Sequence, residues 1–307
     1  MESVPNDDGA VTLFPALTPG QRLFLEVNGY VVVENTLSVD EVERIRDALY
    51  ALQREFQASD DPLSHRVHGC HVGPWEPHLC QFAHLLETDP AIFDYLTHPR
   101  IVALAEELVG GKVRLEESAA FINRREPAFD STKPYQYNFH RGGQPGFDSY
   151  QYDDLYHCTF VKALTNLTDM GPDDGGTTVI AGSHKLNCNE HDMVTAAYET
   201  PELIHQVVAP TGSTILMCET LVHATGQIRS ERERVIIIAG FSHPKHAAVA
   251  GWEPTPAFLE MVPEQKKQLV TGHPYWTWPE RHRKLGMPAM QKSVPYKARM
   301  WSVSHDA

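Results

Sequence analysis

The chain has no stretch approaching the roughly 20 consecutive apolar residues that cross a bilayer, so no membrane-spanning segment is expected. Positive charge is also scarce. Its 26 Lys and Arg stand against 40 Asp and Glu, a formal net charge of −14, whereas nucleic-acid polymers and anionic membrane surfaces are held by clustered Lys and Arg. Neither is expected as a partner; a small anion gripped by a few local arginines is still allowed. Cysteine is sparse and odd in number: Cys70, Cys80, Cys158, Cys188 and Cys218. That usage fits reduced thiols better than a disulfide framework. The opening MESVPNDDGA is acidic and polar, unlike a secretory signal, and a cytoplasmic location is expected. Missing too are a glycine-rich phosphate loop, a Ser-His-Asp order, a Cys-His nucleophile pattern and internal repeats. The nucleophile classes and repeat architectures are left without support.

What is present is enough apolar side chain, 42% of 307 residues, to bury a full core. Thr18-Pro19 opens a helix, with Thr as cap and Pro at its first position, and Asn28-Gly29 stops it. Tyr30 to Val33 is a short β-branched strand. Ser38-Val-Asp-Glu41 is a capping box, and Val42, Ile45, Leu49, Leu52 and Phe56 keep the helical period behind it. Pro99 to Val109 is a further helix, closed by Gly110-Gly111. From Lys112 the texture changes to short apolar or alternating runs: Val113 to Ile122, Tyr156 to Leu167, Thr177 to Ile180, Gly212 to Met217 and Val235 to Phe241. Strands at this spacing suggest a jelly-roll barrel. The expected fold is mainly β with a helical layer. A disordered tail is expected over 1–17, helices over 18–110 and the jelly-roll core over 111–245. The Pro- and Trp-rich extension over 246–307 is expected to pack on the core and to offer a surface for oligomer formation. Asn166-Leu-Thr168 reads as core strand rather than a glycan site.

The chemistry gathers on few residues. His140-Arg141-Gly142 follows the alternating aromatic segment Tyr135 to Phe139, read as a strand. His223 follows the apolar run Ile215 to Val222, and Arg234 immediately precedes the strand Val235 to Ile238. Two histidines at strand ends suit a mononuclear site, where two His and one carboxylate bind one face of a ferrous ion and leave the other open.

Between the histidines runs Asp174-Gly175-Gly176-Thr-Thr-Val-Ile-Ala-Gly182-Ser183-His184-Lys185. Together with GYVVVENTLSVDEVERIRDAL near the start, these motifs resemble the phytanoyl-CoA dioxygenase family from about Gly29 to Phe241, with Ala181 where Pro is usual. The resemblance implies a double-stranded β-helix that uses Fe(II), 2-oxoglutarate and O₂. It implies His140 and His223 as iron ligands and Arg234 as partner of the distal carboxylate of 2-oxoglutarate; Arg229 and Arg232 lack the family spacing. The departure is Gly142, where the family carries Asp. The radical halogenases within this resemblance carry Gly or Ala there. Likeness to them implies chloride at the vacant ligand position and chlorination of an unactivated C–H bond, with 2-oxoglutarate converted to succinate. Two other readings stay open: a carboxylate from Asp148, Asp153 or Asp154, or a water, at the third position of an ordinary hydroxylase.

A small, freestanding substrate is expected. Arg124 and Arg125 at a strand end, and Arg141, are candidates to grip a phosphate or carboxylate, as on a nucleotide; the other reading of the double Arg is a surface ion-pair patch. His65, His68, Cys70, His71, His78 and Cys80 match no structural zinc spacing. They read as a mobile loop over the site, with His71 and Trp75 as substrate contacts. Lys162 and Lys185 are assigned only solvent or loop contacts. A barrel that holds a 2-oxoglutarate-like ligand without turnover is the non-enzymatic alternative.

Overall fold

The computed structural model describes residues 4–5, 11–12, 16–133, 135–152, 154–244 and 253–272. In chain order the strands are β1 (Val4–Pro5), β2 (Val11–Thr12), β3 (Tyr30–Val33), β4 (His71–Glu76), β5 (Leu79–Ala83), β6 (Arg114–Asn123) and β7 (Ser149–Tyr152). They continue as β8 (Leu155–Cys158), β9 (Phe160–Asn166), β10 (Thr178–Ile180), β11 (Ile204–Gln206), β12 (Thr214–Cys218), β13 (His223–Ala224) and β14 (Arg234–Ser242). The helices are α1 (Pro19–Asn28), α2 (Val39–Gln57), α3 (Pro90–Leu96), α4 (Pro99–Val109), α5 (Glu190–Glu199), α6 (Pro256–Met261) and α7 (Glu264–Thr271).

Local chemistry explains the helix boundaries. Thr18 and Ser38 each form a reciprocal capping box, with Gln21 and Glu41, a device that stabilises a helix start by about 1 kcal/mol. Gly29 and Gly110 close α1 and α4 at φ 83° and 76°, a left-handed conformation that glycine adopts without a Cβ clash.

Seven strands form one antiparallel sheet in the order β3-β12-β9-β14-β6-β5-β4, and β11-β10-β13 form a second. This is a double-stranded β-helix. On β14, Val235, Ile237, Ala239 and Phe241 join the core under the helices, while Ile236 and Ile238 join the core between the two sheets. The period of two therefore sends Arg234 and Gly240 to the inner face as well. On β9 and β12, by the same rule, Lys162 and Met217 point inward. Register makes one row of them: Met217 pairs with Lys162, Lys162 with Gly240, and Gly240 with Glu117.

Several expectations need correction. Residues 16 and 17 are not loose: Leu17 is buried, and the N–H groups of Ala16 and Leu17 donate to Glu107. The tail also holds a short antiparallel pair, β1 with β2. The stretch read as a mobile loop is largely the β4–β5 hairpin, added to the sheet edge through β6. Val72, Cys80 and Phe82 supply its buried face, and Trp75 packs on Phe56 and Phe82. The helical layer thus contributes strands to the sheet. Tyr135 to Phe139 is not a strand; only His140 bridges, to His223. Of the C-terminal extension, α6 and α7 place Val262 and Val270 in the main core, and residues 273–307 lie outside the described residues. Among the described residues no helix is long and apolar enough to cross a membrane.

Candidate metal centre

Backbone pairing sets the two histidines side by side. His140 N–H donates to His223 O at 2.9 Å and His223 N–H donates to His140 O at 2.8 Å. Residues exchanging bonds in this way project from the same face, and the ring centroids are 4.4 Å apart. Each Nδ1 lies on a carbonyl two residues back: Asn138 O at 3.0 Å and Leu221 O at 2.8 Å. A ring whose Nδ1–H donates to a carbonyl presents the lone pair of Nε2, the arrangement of metal-ligating histidines. His223 is 6% exposed. Burial, with His140 beside it, pushes its pKa down to about 3, so it is the neutral imidazole that ligates metals.

Arg234 opens β14, opposite Asn123, and is 2% exposed. Among the described residues its Nε and Nη1 have no hydrogen-bond partner, and neither has Asn123 Oδ1. Burial lowers the Arg234 pKa to about 10, with Tyr135 opposing. A buried guanidinium with unanswered donors is costly unless a ligand anion completes it. The cradle fits the carboxylate of a 2-oxo acid, and the histidine pair fits a ferrous ion. His140 and His223 could hold the metal, and Arg234 the cosubstrate.

The space over Gly142 is not empty. The N–H groups of Gly142 and Gly143 both donate to Glu219 O at 3.0 Å, and a β-carbon on Gly142 would overlap Glu219 Oε2. Glu219 follows β12 and is 1% exposed. Its Oε1 stands 3.3 Å from Lys162 Nζ and 3.9 Å from His223 Nε2, yet accepts no well-formed hydrogen bond among the described residues. Lys162 also reaches Glu117, at 3.2 Å. It crosses β14 at Gly240, where a β-carbon would lie 2.7 Å from Glu117 Cβ. Burial disfavours the Lys162 ammonium, but Glu219 and Glu117 outweigh it and the pKa is raised. Lys162 is therefore no solvent contact. Among the described residues no three His, Cys, Asp or Glu side chains already stand at closed metal-ligand spacing; the histidine pair is in place, with Glu219 next beyond it.

The other sequence candidates fall elsewhere. Asp148 Oδ2 accepts from Gln144 N at 2.8 Å and faces Gly143. Asp154 is an exposed turn residue at φ 64°, and Asp153 is outside the described residues. Arg124 pairs with Glu233 at 2.7 Å and Arg125 with Glu231, so the double arginine is an ion-paired surface patch rather than an open anion grip. Arg141 turns away from the histidines to the carbonyls of Leu186 and Cys188, both at 3.1 Å, and clamps that loop. Arg232 pairs with Asp174, and Lys185 with Glu26 at 3.5 Å. Glu219 escaped the sequence reading although a signal was there. It is the lone charge in Ile215 to Val222, and a buried Glu needs a partner.

Comparison with known proteins bears on the fold and the family. Human peroxisomal phytanoyl-CoA dioxygenase is 22% identical over 244 residues, covering 74% of this chain and 68% of that protein. HygX from Streptomyces hygroscopicus, solved with nickel and 2-oxoglutarate bound, superposes with a TM-score of 0.59 at 19% identity, over 76% of this chain and 89% of its own. AviO1 from Streptomyces viridochromogenes Tue57 superposes with a TM-score of 0.57 at 21% identity, over 74% and 96%. At these identities the superpositions speak for the fold alone. The family model of phytanoyl-CoA dioxygenase (PhyH) matches residues 25–236, a span that includes both histidines, Glu219 and Arg234. With that match over more than half of its length, the chain belongs to the phytanoyl-CoA dioxygenase family of iron- and 2-oxoglutarate-dependent oxidoreductases.

Proposed function

We propose that the protein couples oxidative decarboxylation of 2-oxoglutarate to hydroxylation of a C–H bond in a small molecule. The balance is R–H + O₂ + 2-oxoglutarate → R–OH + succinate + CO₂. Iron supplies the redox chemistry when bound. The chain's part is to present two imidazoles, to pair the cosubstrate with Arg234, and to keep water from the inner face with Ile236, Ile238 and Leu164. The observation that carries this reading is Arg234: an enclosed cation with two donors unanswered among the described residues, on the face that the two sheets share.

Chlorination, the outcome implied by the missing carboxylate at residue 142, requires a halide in the volume beside Gly142. The Glu219 carboxylate stands in that volume, so hydroxylation is the outcome this geometry supports. An anionic, nucleotide-like substrate loses its main support once Arg124 and Arg125 are matched with glutamates.

The test is anaerobic absorption of the Fe(II)·2-oxoglutarate complex, titrated with chloride, followed by succinate assay on admitting O₂. Expected are a charge-transfer band indifferent to chloride and slow succinate formation without substrate. A saturable chloride shift would return chlorination, and absence of both band and succinate would overturn the enzymatic reading.

A further inference from the structure

We infer that Glu219 is the carboxylate ligand of the iron site, standing in space for the side chain that Gly142 lacks. This rests on reading His140 and His223 as that site. Three observations support it. First, the replacement is local: Glu219 Oε2 occupies the volume into which a residue-142 side chain would begin. Glycine is required there for that reason rather than for its backbone, since the structure shows no positive φ at 142. Second, Glu219 is tied to both histidine segments. Its carbonyl accepts from Gly142 and Gly143, and it precedes His223 by four residues. Third, Oε1 is buried, without a well-formed hydrogen bond, and lies 3.9 Å from His223 Nε2. Two donors on one metal at bonds of about 2.1 Å are about 3 Å apart when cis. Glu219 therefore needs to draw in by about 1 Å, within reach of one side-chain torsion.

Lys162 is the positioning residue of this arrangement. Held between Glu117 and Glu219, it balances the carboxylate charge while no metal is bound. The alternative is that Glu219 is only the counter-ion of Lys162, in which case metal affinity would not depend on it.

The experiment is Co(II) titration of the apoprotein, read by visible absorption and by competition with a chromophoric chelator, on the wild type and on Glu219→Ala, Glu219→Gln and His223→Ala. Loss of a supporting contact alone typically weakens metal binding 10–100-fold, so Glu219→Ala should weaken Co(II) by about 100-fold or more. Adding Gly142→Asp to Glu219→Ala returns a carboxylate from the other side and should recover most of that loss. Should Glu219→Ala fail to fold, the isosteric Glu219→Gln carries the test and should still lose at least about 10-fold. Wild-type affinity in Glu219→Ala or Glu219→Gln overturns the assignment. A wild type that binds no better than His223→Ala overturns the iron site itself, which separates the two failures.

Discussion

Replacing Arg234 by Met is expected to move cosubstrate affinity and apoprotein stability in opposite directions. Arg234 is enclosed, and Nε and Nη1 both lack partners among the described residues. A carboxylate taking both donors would gain two charge-assisted hydrogen bonds, each worth about 1.5–3 kcal/mol. Their loss, about 3–6 kcal/mol, corresponds to roughly 10²–10⁴-fold in 2-oxoglutarate affinity at 1.4 kcal/mol per decade. In the protein without cosubstrate the same change removes an uncompensated buried charge and fills its volume with a thioether chain. Relief of about 1–3 kcal/mol is expected, a few degrees in Tm. The first quantity is read by calorimetric titration of 2-oxoglutarate into Ni(II)-loaded protein, the second by thermal and urea unfolding of the apoprotein. Binding within threefold of wild type would show that the guanidinium is not the cosubstrate anchor. A large loss of apoprotein stability would show that its donors are answered within the protein.

The remaining predictions concern the structure around that axis. Lys162→Met leaves Glu219 buried without its cation, so apoprotein stability should fall by about 3 kcal/mol. Co(II) should restore much of it by neutralising the carboxylate, and parallel melts with and without the metal check this. Gly240→Ala sets a β-carbon 2.7 Å from Glu117 Cβ and 3.1 Å from Phe160 Cε2; overpacking of about 1–3 kcal/mol should appear as a lower urea midpoint. Burial, with Lys185 beside it, lowers the His184 pKa to about 3. The unfolded chain then binds a proton near pH 6.5 that the folded chain refuses, so stability is full above pH 6.5 and falls towards pH 3 by about 1.4 kcal/mol per pH unit. His184→Gln should flatten urea stability between pH 4 and 6 by one proton's slope, and an unchanged slope would refute it.

The helices were legible because their signals are local. A capping box, a Pro in the first turn and a closing Gly lie within one turn of the boundary each defines, and α1, α2 and α4 start and stop as those residues require. The central strands were legible too, since β12 and β14 are buried along their whole length and β6 and β9 carry enough apolar residues to stand out despite Glu116, Glu117 and Lys162. The β4–β5 hairpin was not. Its histidines and cysteines suggested chemistry, and its strand character comes from pairing with β6, which lies about forty residues away. Tyr135 to Phe139 failed in the opposite sense: it alternates like a strand, but among the described residues no strand pairs with it beyond the bridge at His140.

By itself the sequence determined the class of protein and the kinds of group at its centre: two histidines, a glycine where a carboxylate is usual, and an arginine at the head of an apolar strand. These are properties of residue type and spacing. Only the tertiary structure decided what stands over the glycine and which cations have partners. Glu219 reaches Gly142 because two backbone N–H groups hook onto its carbonyl. Arg124 and Arg125 are matched because β14 brings Glu231 and Glu233 to the end of β6, while Arg234, one residue beyond Glu233, turns into the barrel unmatched. Such contacts join residues up to about a hundred positions apart, and side-chain charge acts over a few ångströms of space, not along the chain.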